Sequence, residues 1–169
     1  MTIDSFTPAV KYAILVGGRE KENPELNLGV ASLVRELDSE FVQRGFITVP
    51  MSSFVTAERI ENSLGLIERL CNNARRLPTI LFYYAGHQNH EGLCLEDGIY
   101  SREKLMRQLS RIRGDKLGIF DCCFAGLLRQ YAERNLTILA ATAEDRAAYA
   151  SMHPGENSMK TILGREIHS

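Results

Sequence analysis

Two stretches of the chain carry the residue types that acyl transfer needs. Thr79-Ile80-Leu81-Phe82-Tyr83-Tyr84-Ala85-Gly86-His87 is an apolar run ending in small residues and an imidazole. Leu117-Gly118-Ile119-Phe120-Asp121-Cys122-Cys123-Phe124-Ala125-Gly126 is an apolar run ending in an acid, two thiols and small residues. A cysteine attacks as its thiolate, and an imidazole beside it takes the proton or holds the pair as an ion pair. Attack on a carbonyl also needs backbone N–H groups aimed at the developing oxyanion. Small residues such as Gly86, Ala125 and Gly126 let backbone come close to a substrate, and a helix starting after Cys123 would favour its thiolate. Each residue has a plainer use when taken singly. A cysteine ending a buried strand is usually an inert small hydrophobe, His87 a hydrogen-bonded loop residue, and Asp121 a helix cap. The two run ends together make Cys–His acyl transfer the sharper reading.

That chemistry requires both ends to meet, and the flanking pattern supplies the means. Tyr12-Ala13-Ile14-Leu15-Val16, closed by Gly17-Gly18, reads as a strand buried on both faces. Pro24 lies in a polar loop, after which Val30, Leu33, Val34, Leu37 and Phe41 recur at helical spacing up to a stop at Gly45. Phe46 to Val49 is a short strand ended by Pro50. Thr56 caps a helix with Ile60, Leu64, Ile67 and Leu70 on one face. After the first chemistry-bearing strand, Asn89 to Gly98 reads as a loop with a small hairpin around Leu93 to Leu95. Ser101 caps a helix with Leu105, Leu109 and Ile112 inward, and Glu103 and Arg107 paired outside. A helix through Leu127, Leu128 and Tyr131 follows the second strand, and Leu136 to Ala140 is a fifth strand. The polar remainder from Ser151 shows a short helical pattern near Ile162 and Leu163.

Strand–helix alternation of this kind predicts an α/β three-layer sandwich, a mostly parallel sheet of about five to six strands with helices on both faces. Sites in such sheets form outside the carboxyl ends of the strands. If the two chemistry-bearing strands are parallel neighbours, His87 and Cys123 share one edge.

Composition narrows the function classes. With 169 residues, 44% hydrophobic and 24% charged, the chain is expected to be one domain, residues 1–169, that needs no disulfide or metal staple. A net charge of −1 with interspersed Lys, Arg, Asp and Glu offers no broad surface for nucleic acid or an anionic membrane. The first ten residues, with Asp4 and Pro8, lack the basic start and apolar block of a signal peptide. No apolar run approaches the roughly 20 residues that span a bilayer. A cytoplasmic protein is expected, with Cys71, Cys94, Cys122 and Cys123 as reduced thiols.

Tyr83-Tyr84-Ala85-Gly86-His87 and Asp121-Cys122-Cys123-Phe124-Ala125-Gly126 resemble the two catalytic blocks of the caspase-like cysteine peptidases, in the metacaspase and bacterial caspase-like branch. That branch shows a strand ending Y-[SA]-G-H-G and a later one ending D-[SC]-C-x-[SA]-G. Leu139 to Asp145, with Ala148-Tyr149, also resembles the strand and loop after the nucleophile. The resemblance covers roughly residues 10 to 150, with a short remnant of the small-subunit region at 151–169. It implies a thiol endopeptidase with Cys123 as nucleophile and His87 as base and later acid. The backbone N–H groups of Cys123 and Gln88 would form the oxyanion hole. Asp121 would hold the substrate side chain preceding the cut and favour Arg or Lys by charge-assisted hydrogen bonds.

Three features depart from the family pattern. Gln88 stands where the family has Gly, whose backbone reaches angles that Gln adopts only at a cost. Ser32 stands in the region where the family carries a second pocket acid, so one charge is missing. Little after Ser151 could supply the small subunit. The chain is therefore expected to be a truncated or processed large subunit, or a minimal form completed by a homodimer partner or a C-terminal segment. Its partners are expected to be protein or peptide substrates, with no cofactor. No dense acidic cluster beyond Glu96-Asp97 suggests the calcium dependence of some metacaspases, a dependence the sequence leaves open. The main alternative is a catalytically weak or inactive caspase-like scaffold. A zinc site built from His87, His90, Cys94 and Cys122 or Cys123 is a remoter one, because the spacing matches no common zinc pattern.

Overall fold

The computed structural model describes residues 9–19 and 24–143. The chain runs β1 (Lys11–Gly17), α1 (Pro24–Gln43), β2 (Phe46–Met51), α2 (Ala57–Asn72), β3 (Thr79–Gly86), β4 (Gly92–Leu95), β5 (Gly98–Ser101), α3 (Arg102–Arg111), β6 (Asp115–Cys122), a 3-10 helix (Ala125–Tyr131) and β7 (Leu136–Ala140). Five strands form one sheet in the order β2-β1-β3-β6-β7, with every neighbouring pair parallel. β4 and β5 form a separate antiparallel hairpin. The expected pattern at Ile162 and Leu163, and the stretch 144–149 of the family resemblance, lie outside the described residues.

The strand sequences explain the layers. The three inner strands are apolar almost without interruption because both sheet faces are covered. Alternation then divides their side chains. Ala13, Leu15, Leu81, Tyr83, Ala85 and Ile119 meet Val30, Leu33, Val34 and Phe41 of α1. Ile14, Val16, Ile80, Phe82, Tyr84 and Phe120 lie on the other face, in one core with buried residues of α2 and α3. The result is the α/β three-layer sandwich expected from the sequence. Thr56 and Ser101 cap α2 and α3, accepting from the N–H groups of Arg59 and Lys104 at 3.2 and 3.5 Å. Each cap is worth about 1 kcal/mol. Burying four apolar side chains on α2, at roughly 1.5–3 kcal/mol each, outweighs it.

Local corrections to the sequence reading have identifiable causes. Pro24 begins α1, because a proline is tolerated in the first turn where its missing N–H has no helical partner. Pro50 lies inside β2, which it can because β2 is the outer strand of the sheet. The fourth inward residue of α2 is Cys71, fully buried, whereas Leu70 is 45% exposed. The spacing 60, 64, 67, 71 keeps a straighter stripe than one ending at 70. The segment after β6 is a 3-10 helix, which eclipses residues three apart. Ala125 and Leu128 are buried and Tyr131 packs against the same core, so the three-residue spacing fits that helix. Among the described residues no helix is long and apolar enough to cross a membrane.

Candidate active site

The site begins with a register. In the β3–β6 ladder the last aligned pair is Gly86 with Cys122. His87 and Cys123 are the next residues on each chain. They therefore leave neighbouring parallel strands, about 4.8 Å apart, at the carboxyl edge of the sheet.

Tight packing fixes where β3 releases His87. Gly86 has φ +148°, and a Cβ there would lie 2.8 Å from the Cα of Gly18. A Cβ on Gly18 would lie 2.2 Å from the Tyr84 hydroxyl. The glycines thus let the tips of β1 and β3 close over a buried tyrosine. Gly86→Ala is expected to destabilise the fold by about 1–3 kcal/mol and is checked by chemical denaturation, an unchanged midpoint counting against the crowding account. Beneath this contact the Tyr84 hydroxyl meets the carbonyls of His87 at 2.5 Å and Cys94 at 3.0 Å. The Cys94 N–H donates to the His87 carbonyl at 2.9 Å. Arg102, in the first turn of α3, donates to the carbonyls of Asn89 and His90.

Gln88 pairs antiparallel with Leu93. The flanking bonds run from the Cys94 N–H to the His87 carbonyl and from the Asn89 N–H to the Gly92 carbonyl. In such a pair the intervening residue turns its own N–H away from the partner strand. Its φ is not positive: among the described non-glycine residues only Phe54 and Phe124 have positive φ. The backbone cost expected for Gln in a glycine position therefore does not arise. Its side chain is 4% exposed. The amide Nε2 donates to the Phe124 carbonyl at 3.1 Å, and Oε1 accepts from the Cys122 thiol at 3.4 Å.

Strand alternation carries Cys122 into the core on the α2 and α3 face, where it is 1% exposed. Burial, followed by the charge of Asp121, raises its pKa well above the usual thiol value, so it stays a neutral donor. Cys123 lies just past the strand, partly exposed, in a turn. Phe124 follows in the left-handed region at φ 52°, ψ 23°. The Thr142 hydroxyl closes the base of this turn, donating to the Cys122 carbonyl and accepting from the Ala125 N–H, both at 2.9 Å. The Phe124 ring packs against His90, with centroids 4.8 Å apart.

Asp121 takes the α1 face and aligns with Ala85 on β3. Burial raises its carboxyl to about 6 from 3.8, opposed by a hydrogen bond from Tyr83. That hydroxyl donates to Oδ2 at 3.5 Å, a long contact. Burial, with the Asp121 charge behind it, holds Tyr83 neutral by raising its pKa well above the usual value. Because the folded state binds the Asp121 proton more tightly than the unfolded chain, ionisation costs stability above about pH 6, and that cost disappears towards pH 3.8. Asp121→Asn is expected to be more stable than the parent by about 1–2 kcal/mol near pH 8. Denaturation series should show that gap closing as pH falls; a gap that stays constant would contradict it.

Ser32 is exposed on α1, on the side of the helix away from the buried Val30, Leu33 and Val34. Among the described residues no three His, Cys, Asp or Glu side chains come together as a metal site. Sequence reasoning missed Tyr84, Thr142 and the Gln88 side chain. A tyrosine in a strand buried on both faces does announce itself, because its hydroxyl needs a partner. Thr142, in a run of alanines, offers no comparable signal.

No protein family matches the chain, and no curated protein matches it.

Proposed function

We propose that the chain is a caspase-like cysteine endopeptidase that cuts peptide bonds after Arg or Lys. The reading is supported above all by the β3–β6 register, whose last pair is Gly86 with Cys122, so that His87 and Cys123 are the next residues off two neighbouring parallel strands. Cys123 gives its thiol proton to the His87 imidazole, and its sulfur attacks the carbonyl carbon. The electron pair moving onto oxygen is met by the N–H groups of Cys123 and Gln88. Collapse breaks the C–N bond, and the imidazolium proton leaves with the amine. Water, deprotonated by His87, then cleaves the thioester and restores the thiol. Asp121, ionised above about pH 6, receives the basic side chain. β7 is an outer strand of the sheet, and a C-terminal or partner segment pairing along it would extend the groove beside the nucleophile.

The test is hydrolysis of fluorogenic peptides ending in Arg, Lys or Asp by the full chain, beside Cys123→Ala and His87→Ala variants. Turnover of the basic peptides by the parent alone is the expected result. Equal background from all three proteins would favour the scaffold alternative.

A further inference from the structure

We infer that the Gln88 side chain is a positioning residue, a clamp that holds the Cys123 turn in register with His87. The inference rests on the proposed Cys–His dyad and assigns a role to a side chain that the family pattern replaces with glycine.

Gln88 follows the base directly, yet its side chain turns into the protein and is 4% exposed. A buried amide is costly when left unpaired, and here both ends are used. Nε2 donates to the carbonyl of Phe124, the residue after the nucleophile, and Oε1 accepts from the thiol of Cys122, the residue before it. The neutral state of Cys122 makes the second bond durable, since a thiolate would repel Oε1. The clamp therefore straddles Cys123 from both neighbours while its own backbone carries His87.

The turn it grips needs holding. Phe124 sits at φ 52°, a conformation that a non-glycine residue adopts only at a cost. Thr142 bridges the Cys122 carbonyl and the Ala125 N–H at the base of the turn. The Leu127 N–H also donates to the Phe124 carbonyl, at 3.1 Å, and of these three contacts the one from Gln88 ties the turn to the segment that carries His87. Loss of the Gln88 bonds would uncouple the turn from the residue that follows His87 and let the sulfur shift relative to the imidazole. Displacing a reacting group by about 1 Å can cost a hundredfold in rate.

The experiment uses iodoacetamide, whose reaction with Cys123 requires no substrate pocket, together with turnover of an Arg peptide. Alkylation of Cys123 is followed by mass spectrometry from about pH 6 to pH 9 in the full-length parent and in His87→Ala, Gln88→Met and Gln88→Ala. Gln88→Met keeps the length and the backbone N–H and removes both hydrogen bonds. The expected result for Gln88→Met is a Cys123 pH profile shifted towards that of His87→Ala. Its kcat should fall about tenfold to a hundredfold while KM stays within about twofold. A second pair guards against simple misfolding. Phe124→Asn favours the left-handed conformation, so Gln88→Met should lose less in that background than alone. Parent and His87→Ala profiles that coincide would overturn the dyad itself. A His87-dependent parent profile that Gln88→Met leaves unchanged, or equal losses in both backgrounds, would overturn the clamp while leaving the dyad standing.

Discussion

Replacing Cys123 with Ala is expected to lower kcat for an Arg peptide by roughly 10⁴-fold or more, with the fold intact. Cys123 is partly exposed at the end of β6, and its side chain is not part of either core. The loss is therefore one of chemistry rather than of packing. His87→Ala should cost a comparable factor, because a thiol without its base and an imidazole without its nucleophile are nearly equally idle. The double variant should be scarcely worse than either single one, the pattern of two groups acting as a unit. Cys122→Ala differs in kind. Cys122 is buried and donates to Gln88, so its removal should show first as lost stability. Steady-state rates beside thermal midpoints separate the cases, and a Cys122→Ala variant as dead as Cys123→Ala at unchanged stability would reverse the assignment of the nucleophile.

The second large effect falls on specificity. Asp121→Asn is expected to reduce kcat/KM for Arg and Lys peptides by about thirtyfold to several-hundredfold, the cost of removing one partner of a buried charge pair at roughly 2–4 kcal/mol. Peptides with a neutral residue before the cut should change little. The parent chain should carry the same information in its pH dependence. Its carboxyl is held at about 6 by burial, and the basic side chain is attracted only to the ionised form. The ratio of kcat/KM for an Arg peptide to that for a Gln peptide should therefore fall as pH drops through about 6. Effects on the dyad cancel in that ratio, since both substrates share it. A ratio that is flat with pH, or that survives Asp121→Asn, would move basic recognition elsewhere. In the proposed pocket, the carboxylate whose charge burial disfavours would gain a favourable use when a cation docks. Functional groups are commonly held at such a local cost.

Most of the sheet was legible because its strands are extreme in composition. Ile80 to Tyr84 is β-branched and aromatic without interruption, and burial of both faces leaves few other uses for such a run. Neighbourhood in the sheet was legible only conditionally. Whether β3 and β6 touch depends on the crossover through β4, β5 and α3, and no residue of either strand states its partner. The boundaries erred where tertiary context overrode a local rule. Pro50 ends an inner strand but not an outer one, and Ala125, Leu128 and Tyr131 fit a 3-10 period that is easily taken for an α-helical one.

The candidate site was legible as residues and not as supports. His87, Asp121 and Cys123 are marked by type and position at strand ends. Gln88 was legible only as a departure from glycine, which pointed to backbone strain. In the structure its φ lies outside the positive region, and its distinctive feature is the buried amide. Ser32 was singled out by region alone, and the structure adds that it is exposed on α1. A helical position is set by the hydrophobic stripe, and Val30, Leu33 and Val34 turn Ser32 to solvent.

The central claim is that Cys123 attacks a carbonyl with the help of His87 after a basic residue has docked. It is tested most directly by a peptidyl electrophile ending in Arg, such as a chloromethyl ketone, followed by mass-spectrometric mapping of the adduct on the full chain. The account predicts one covalent adduct, on Cys123, slowed strongly by His87→Ala and by Asp121→Asn, and formed far more slowly by the matching Asp reagent. Labelling spread over Cys94, Cys122 and Cys123, or labelling of Cys123 at the same rate with Arg and Asp reagents and with or without His87, would contradict it.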